Sequence, residues 1–113
     1  MKNKEIVVRC WIDIDGARFF GPGRLELLSL VDESGSIVKA AKAMGMSYKK
    51  AWDMVDDMNT RGKKPLVVAR KGGDKGGGTE LTDTGRKIIA KYSKLVSKLN
   101  SIIEKNDDIL NLV

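Results

Sequence analysis

The chain has 113 residues, enough for one domain with a single modest core and too few for two. Its 42% hydrophobic and 32% charged residues suit a soluble globular protein, no apolar run nears the ~20 residues that cross a bilayer, and Met1–Glu5 leads into no signal-type segment, so we expect a cytoplasmic protein without membrane contact. A net charge of +6 points to a polyanionic partner, while one cysteine (Cys10) and no histidine exclude an internal disulfide, the usual soft-ligand metal site and the commonest acid–base group near neutral pH.

Glu5 to Ile14 alternates, with Ile6, Val8, Cys10, Ile12 and Ile14 on one face, which predicts a strand. Asp15-Gly16 suits a type I′ turn, and Ala17–Phe20 returns, giving a β-hairpin over residues 5–20. Gly21-Pro22-Gly23 then breaks the chain, and residues 22–62 read as three helices. Pro22 suits a helix start, Leu25, Leu28 and Val31 mark the first helix, and Gly35 closes it. Ser36 caps a second helix whose Ile37, Ala40, Ala41 and Met44 fall on one face. Gly45 makes a tight turn, and Ser47 caps a third helix from Tyr48 to about Asn59, with Ala51, Met54, Val55 and Met58 inward. Trp52 is assigned to the core in preference to base-stacking, and Trp11, Phe19 and Phe20 suit the core or a dimer interface as well as a functional role.

Two short helices joined at a glycine predict a helix-turn-helix, with small Ala40 and Ala41 where the helices cross. Such a unit also serves as a plain structural corner. The outward face of the third helix argues for more: Tyr48, Lys49 and Lys50 stand in its first turn, where a recognition helix meets base edges, and Asp53, Asp56 and Asp57 come later. Lys49 and Asp53 are also spaced as a surface ion pair.

Residues 63–81 read as a wing. Leu66–Arg70 and Thr79–Leu81 form its strands, and Gly72-Gly73-Asp74-Lys75-Gly76-Gly77-Gly78 its tip. Over residues 62–78, Lys63, Lys64, Arg70, Lys71 and Lys75 oppose Asp74 alone, which suits phosphate contact, or simply a solvated loop. No Lys-Ser or Lys-Thr follows the glycines, so this is no nucleotide-binding P-loop. Thr82 or Asp83 caps a long helix over 82–106. Its Ile88, Tyr92, Leu95, Leu99 and Ile102 form a stripe of coiled-coil phasing, too wide for one small core to cover, and predict a dimer interface.

Gly35-Ser36-Ile37, Ala40-Ala41, Met44, Ser47, Leu66 to Arg70 and Leu81-Thr82 with Gly85 resemble the DNA-binding domain of prokaryotic LysR-type regulators. The stretch Met46–Trp52, the tip ending in Gly76-Gly77-Gly78 and the opening hairpin into Gly21-Pro22-Gly23-Arg24 resemble the N-terminal domain of the molybdate-responsive ModE regulators. The resemblance covers about residues 5–100. It implies an α+β, mainly α, winged helix-turn-helix with an N-terminal hairpin and a C-terminal dimerisation helix. It further implies a homodimeric transcription regulator that binds double-stranded DNA, with molybdate-related genes as its targets. Molybdate-sensing members carry C-terminal oxyanion-binding modules, which this sequence lacks, so we expect no small-molecule effector bound by this chain and no cofactor. The expected DNA-binding residues are Ser36, Ser47, Tyr48, Lys49, Lys50, Arg70, Lys71, Lys75, Gly76, Gly77 and Gly78. The competing reading is a protein-interaction or adaptor module using the same fold. An enzyme has no supporting constellation, because Asp13/Asp15 and Asp56/Asp57 lack metal-site spacing.

Overall fold

The computed structural model describes residues 2–71 and 78–113. Strands β1 (Ile12–Ile14) and β2 (Ala17–Phe20) form an antiparallel hairpin, followed by helices α1 (Pro22–Ser34), α2 (Ile37–Met44) and α3 (Tyr48–Arg61). Strands β3 (Val67–Arg70) and β4 (Gly78–Leu81) pair antiparallel from Val67↔Leu81 to Arg70↔Gly78. Helix α4 (Asp83–Lys105) and a 3-10 turn, Asp107–Leu112, complete the chain. Among the described residues no helix is long and apolar enough to cross a membrane.

Local chemistry sets the boundaries. Pro22 opens α1, where its missing N–H costs nothing. Gly35 and Gly45 end α1 and α2 with φ of 68° and 67°, the left-handed region that favours glycine. Three hydroxyls cap the helices that follow: Ser36 Oγ accepts from the Lys39 N–H, Ser47 Oγ from Lys50 and Thr82 Oγ1 from Gly85, at 3.0–3.1 Å. Caps of this kind are each worth roughly 1 kcal/mol.

The core joins the hairpin, the four helices and the wing strands. Phe20, Leu27, Leu28, Val31, Met58 and Leu81 are fully buried, with Ala40, Ala41 and Ala51 where α2 and α3 approach closely. Each large side chain contributes roughly 1.5–3 kcal/mol on burial.

The hairpin is shorter than the alternation over 5–20 predicts. Phe20 pairs with Ile12, and Pro22 then starts α1, so no returning strand exists for residues 5–11. That segment runs along α4 instead. The Tyr92 hydroxyl donates to the Cys10 carbonyl at 2.6 Å, and the Lys4 ammonium to the Val113 carbonyl at 2.6 Å. Ile6, Cys10 and Ile14 are half-buried, whereas Val8 and Ile12 stay exposed.

Candidate nucleic-acid interface

The turn between α2 and α3 is held from both sides. The Gly45 N–H donates back to Ala41 and Lys42, and the Met46 N–H to Ala41 at 3.0 Å. Ala51, Val55 and Met58 anchor α3 inward, which leaves Tyr48, Lys49, Lys50, Trp52, Asp53 and Asp56 exposed on the other side. The Lys49 ammonium donates to Asp53 at 2.8 Å. That hydrogen bond, with the Asp53 charge, raises the lysine above its ordinary pKa. Both side chains remain mostly in solvent, so the pair can open towards a base edge or phosphate.

A three-membered ionic cluster ties α3 to α1 and β2. Asp57 accepts from Arg24 of α1 at 2.5 Å and from Arg61 at 2.8 Å. Desolvation pushes its pKa up, but hydrogen bonds and charge from both guanidiniums outweigh this and hold it below the usual aspartate value. The same guanidiniums bind β2: Arg24 donates to the Phe19 carbonyl at 2.7 Å and Arg61 to the Arg18 carbonyl at 2.9 Å. Asp57 and Arg61 are a legible i,i+4 pair, whereas the approach of Arg24 from 33 residues away leaves no local signal.

The wing is pinned to α3 by Asn59. Its side-chain oxygen accepts from the Leu66 and Val67 N–H groups, and its amide donates to the Val67 carbonyl at 2.8 Å. On the far side the Thr79 N–H donates to the Gly35 carbonyl at 3.0 Å, so β4 also grips the turn between α1 and α2. Arg70 lies over this junction, its guanidinium close enough that a Cβ at Gly35 would come within 3.1 Å of it.

The structure therefore brings Ser36, Arg70 and Gly78 to one junction, and Ser47, Tyr48, Lys49 and Lys50 to the start of α3. Lys71 is exposed at the outer end of β3. Lys75, Gly76 and Gly77 lie outside the described residues. Of the stripe on α4, Leu95 and Ile102 are 44% and 58% exposed. Ile88 and Leu99 are half-buried. Tyr92 departs from the expectation: it is buried in its own core, edge-on to Phe20, and is not free to meet a partner. Trp52 departs in the opposite direction, being 45% exposed where a core position is expected. Helical geometry explains it, since Trp52 lies about 100° round α3 from Ala51 and off the inward row.

The model of the bacterial regulatory helix-turn-helix protein, lysR family, matches residues 22–86. The chain is 40% identical over 113 residues to the molybdenum transport protein ModE of Azotobacter vinelandii, covering all of this chain and 42% of that protein. It is 46% identical over 94 residues to the molybdenum-pterin-binding protein MopB of Rhodobacter capsulatus, covering 80% and 34%. It is 40% identical over 95 residues to the transcriptional regulator ModE of Haemophilus influenzae, covering 84% and 36%. The chain thus spans less than half the length of these relatives. A crystal structure of a LysR family transcriptional regulator superposes with a TM-score of 0.53 at 20% identity, over 74% of this chain and 26% of that one, and shares the fold.

Proposed function

The chain belongs to the lysR family of bacterial regulatory helix-turn-helix proteins, and we propose that it is a sequence-specific double-stranded DNA-binding protein of transcription regulation, acting in the cytoplasm as a homodimer and not as an enzyme. The observation that carries this reading is the first turn of α3. Its side chains Tyr48, Lys49 and Lys50 project from a helix whose opposite face is locked into the core by Ala51 and Val55. In this reading α3 enters the major groove N-terminus first, and the wing residues Arg70 and Lys71 meet phosphates. Ser36 and Ser47 keep a hydroxyl proton for a phosphate while their oxygens cap the helices. The similarity to a molybdenum transport protein supports molybdate-related genes as the targets. The reading gives this chain no oxyanion effector of its own, because Arg70 and Lys71 are exposed, where water competes.

Base contacts specify and phosphate contacts position. Selection from a random duplex pool is therefore expected to return a different preferred sequence for Lys49→Ala. Arg70→Ala is expected to keep the preference and lose affinity about equally for all sequences. An unchanged motif with Lys49→Ala would remove that residue from the reading set.

The dimer rests on the exposed half of the α4 stripe, Leu95 and Ile102, continued by half-buried Leu99. A two-fold pair presents two α3 helices, so the preferred site is expected to be a pseudo-palindrome. Leu95→Glu is expected to give monomers by light scattering while the thermal melt of the domain changes little. A Leu95→Glu variant that stays dimeric would place the interface elsewhere.

A further inference from the structure

Tyr48 and Trp52 stand one turn apart on one flank of α3, 52% and 45% exposed. Trp52 also borders a cleft of about 190 Å³ between α3 and β3, whose walls include Ile37, Val55, Asp56 and Val68. Leaving much of an indole in water wastes one of the largest apolar surfaces a side chain offers. Here it shares one hollow with Tyr48, Lys49 and Asp53 and borders β3 through the cleft, so it stands between the first turn of α3 and the wing, the two parts assigned to DNA. The edges of B-form base pairs in the major groove are polar, with one exception: the C5-methyl group of thymine. Hence an exposed aromatic face on a helix in that groove has one apolar partner available.

We propose that Trp52 is a specificity-determining residue that packs on the C5-methyl group of one thymine in each half-site. The inference rests on the reading of α3 as a DNA-recognition helix. Trp52 would then select T·A over C·G at that position without a hydrogen bond to the base, leaving Lys49 to read its neighbours by charge and hydrogen bonding.

The test uses the full chain and a duplex carrying the sequence it selects from a random pool. Each thymine of one half-site is replaced singly by deoxyuridine, which removes only the methyl group. For the wild-type chain one such replacement is expected to weaken binding about fourfold, the worth of one buried methyl group. Putting 5-methylcytosine, rather than cytosine, at that position is expected to recover part of the loss. In Trp52→Ala the deoxyuridine penalty at that thymine disappears and any penalties elsewhere persist. Trp52→Gln, which keeps a long side chain over the cleft, is expected to behave the same way, so a folding defect in the alanine variant does not decide the matter. A tryptophan that serves only packing would lower the melting temperature and leave the pattern of methyl penalties intact. Wild-type binding indifferent to every deoxyuridine, or a penalty retained in Trp52→Gln, overturns this inference alone. A wild-type chain that selects no duplex overturns the reading of α3 and this inference with it.

Discussion

Phe20→Ala is expected to destabilise the fold by about 3–5 kcal/mol, the range for deleting a buried aromatic ring and leaving a cavity. Phe20 ends β2, is 1% exposed, and meets the Tyr92 ring edge-on at a centroid distance of 5.1 Å. Tyr92 in turn holds the N-terminal segment through the Cys10 carbonyl. One ring thus sits where the hairpin and α4 meet, and the backbone of β2 is held there by Arg24, which donates to the Phe19 carbonyl at 2.7 Å, so it resists collapse into the gap. Domains of this size have about 5–15 kcal/mol in total, so the loss is a large share of it. Thermal melting by circular dichroism is expected to show a fall on the order of 15–30 °C. A shift of a few degrees would mean that the joint repacks freely.

Gly85→Ala is expected to destabilise as well, against the ordinary preference. Within a helix, alanine is favoured over glycine by about 1 kcal/mol. Gly85, in the first turn of α4, is an exception because its Cα faces backbone. An added Cβ would stand 2.3 Å from the Leu66 carbonyl oxygen. That oxygen cannot swing aside, since it also accepts from the Thr82 N–H at 2.9 Å while the Thr82 hydroxyl donates to the Pro65 carbonyl at 2.8 Å. Relief requires the start of α4 and the base of β3 to separate, at an overpacking cost of about 1–3 kcal/mol, of which alanine's better helix preference offsets about 1 kcal/mol at most. Since β3 carries Arg70, DNA affinity is expected to fall beyond what instability explains when binding is measured far below the melting temperature. Chemical denaturation giving a Gly85→Ala protein as stable as the parent would contradict the packing described at that turn.

Most of the fold is legible in the sequence because its boundaries are local chemistry. Ser36, Ser47 and Thr82 cap the helices that follow them, and Gly35 and Gly45 close the helices before them, as their residue types require. The strand expected over residues 5–11 fails for a non-local reason. Alternation identifies an extended segment but not its partner, and the partner ends at Phe20. The segment lies on α4 instead, through a contact between Cys10 and Tyr92 that no local pattern announces. Tyr92 is misplaced by the same blindness: the α4 stripe identifies an apolar face without saying which part the chain itself covers. Trp52 was hidden by its type, since large apolar residues are usually inside, although its position off the Ala51–Val55 row was the available clue. The basic and aromatic groups at the start of α3, by contrast, are set by sequence position and a single cap.

The account's central claim is that α3 and the wing bind duplex DNA both electrostatically and by sequence. The most direct measurement titrates salt against the affinity of the chain for its selected duplex and for a scrambled duplex of equal length. The account predicts that log affinity falls linearly with log salt for both, with a slope reflecting several phosphate contacts, while the selected duplex stays tighter throughout. A flat salt response, or equal affinity for the two duplexes at every salt concentration, would contradict it.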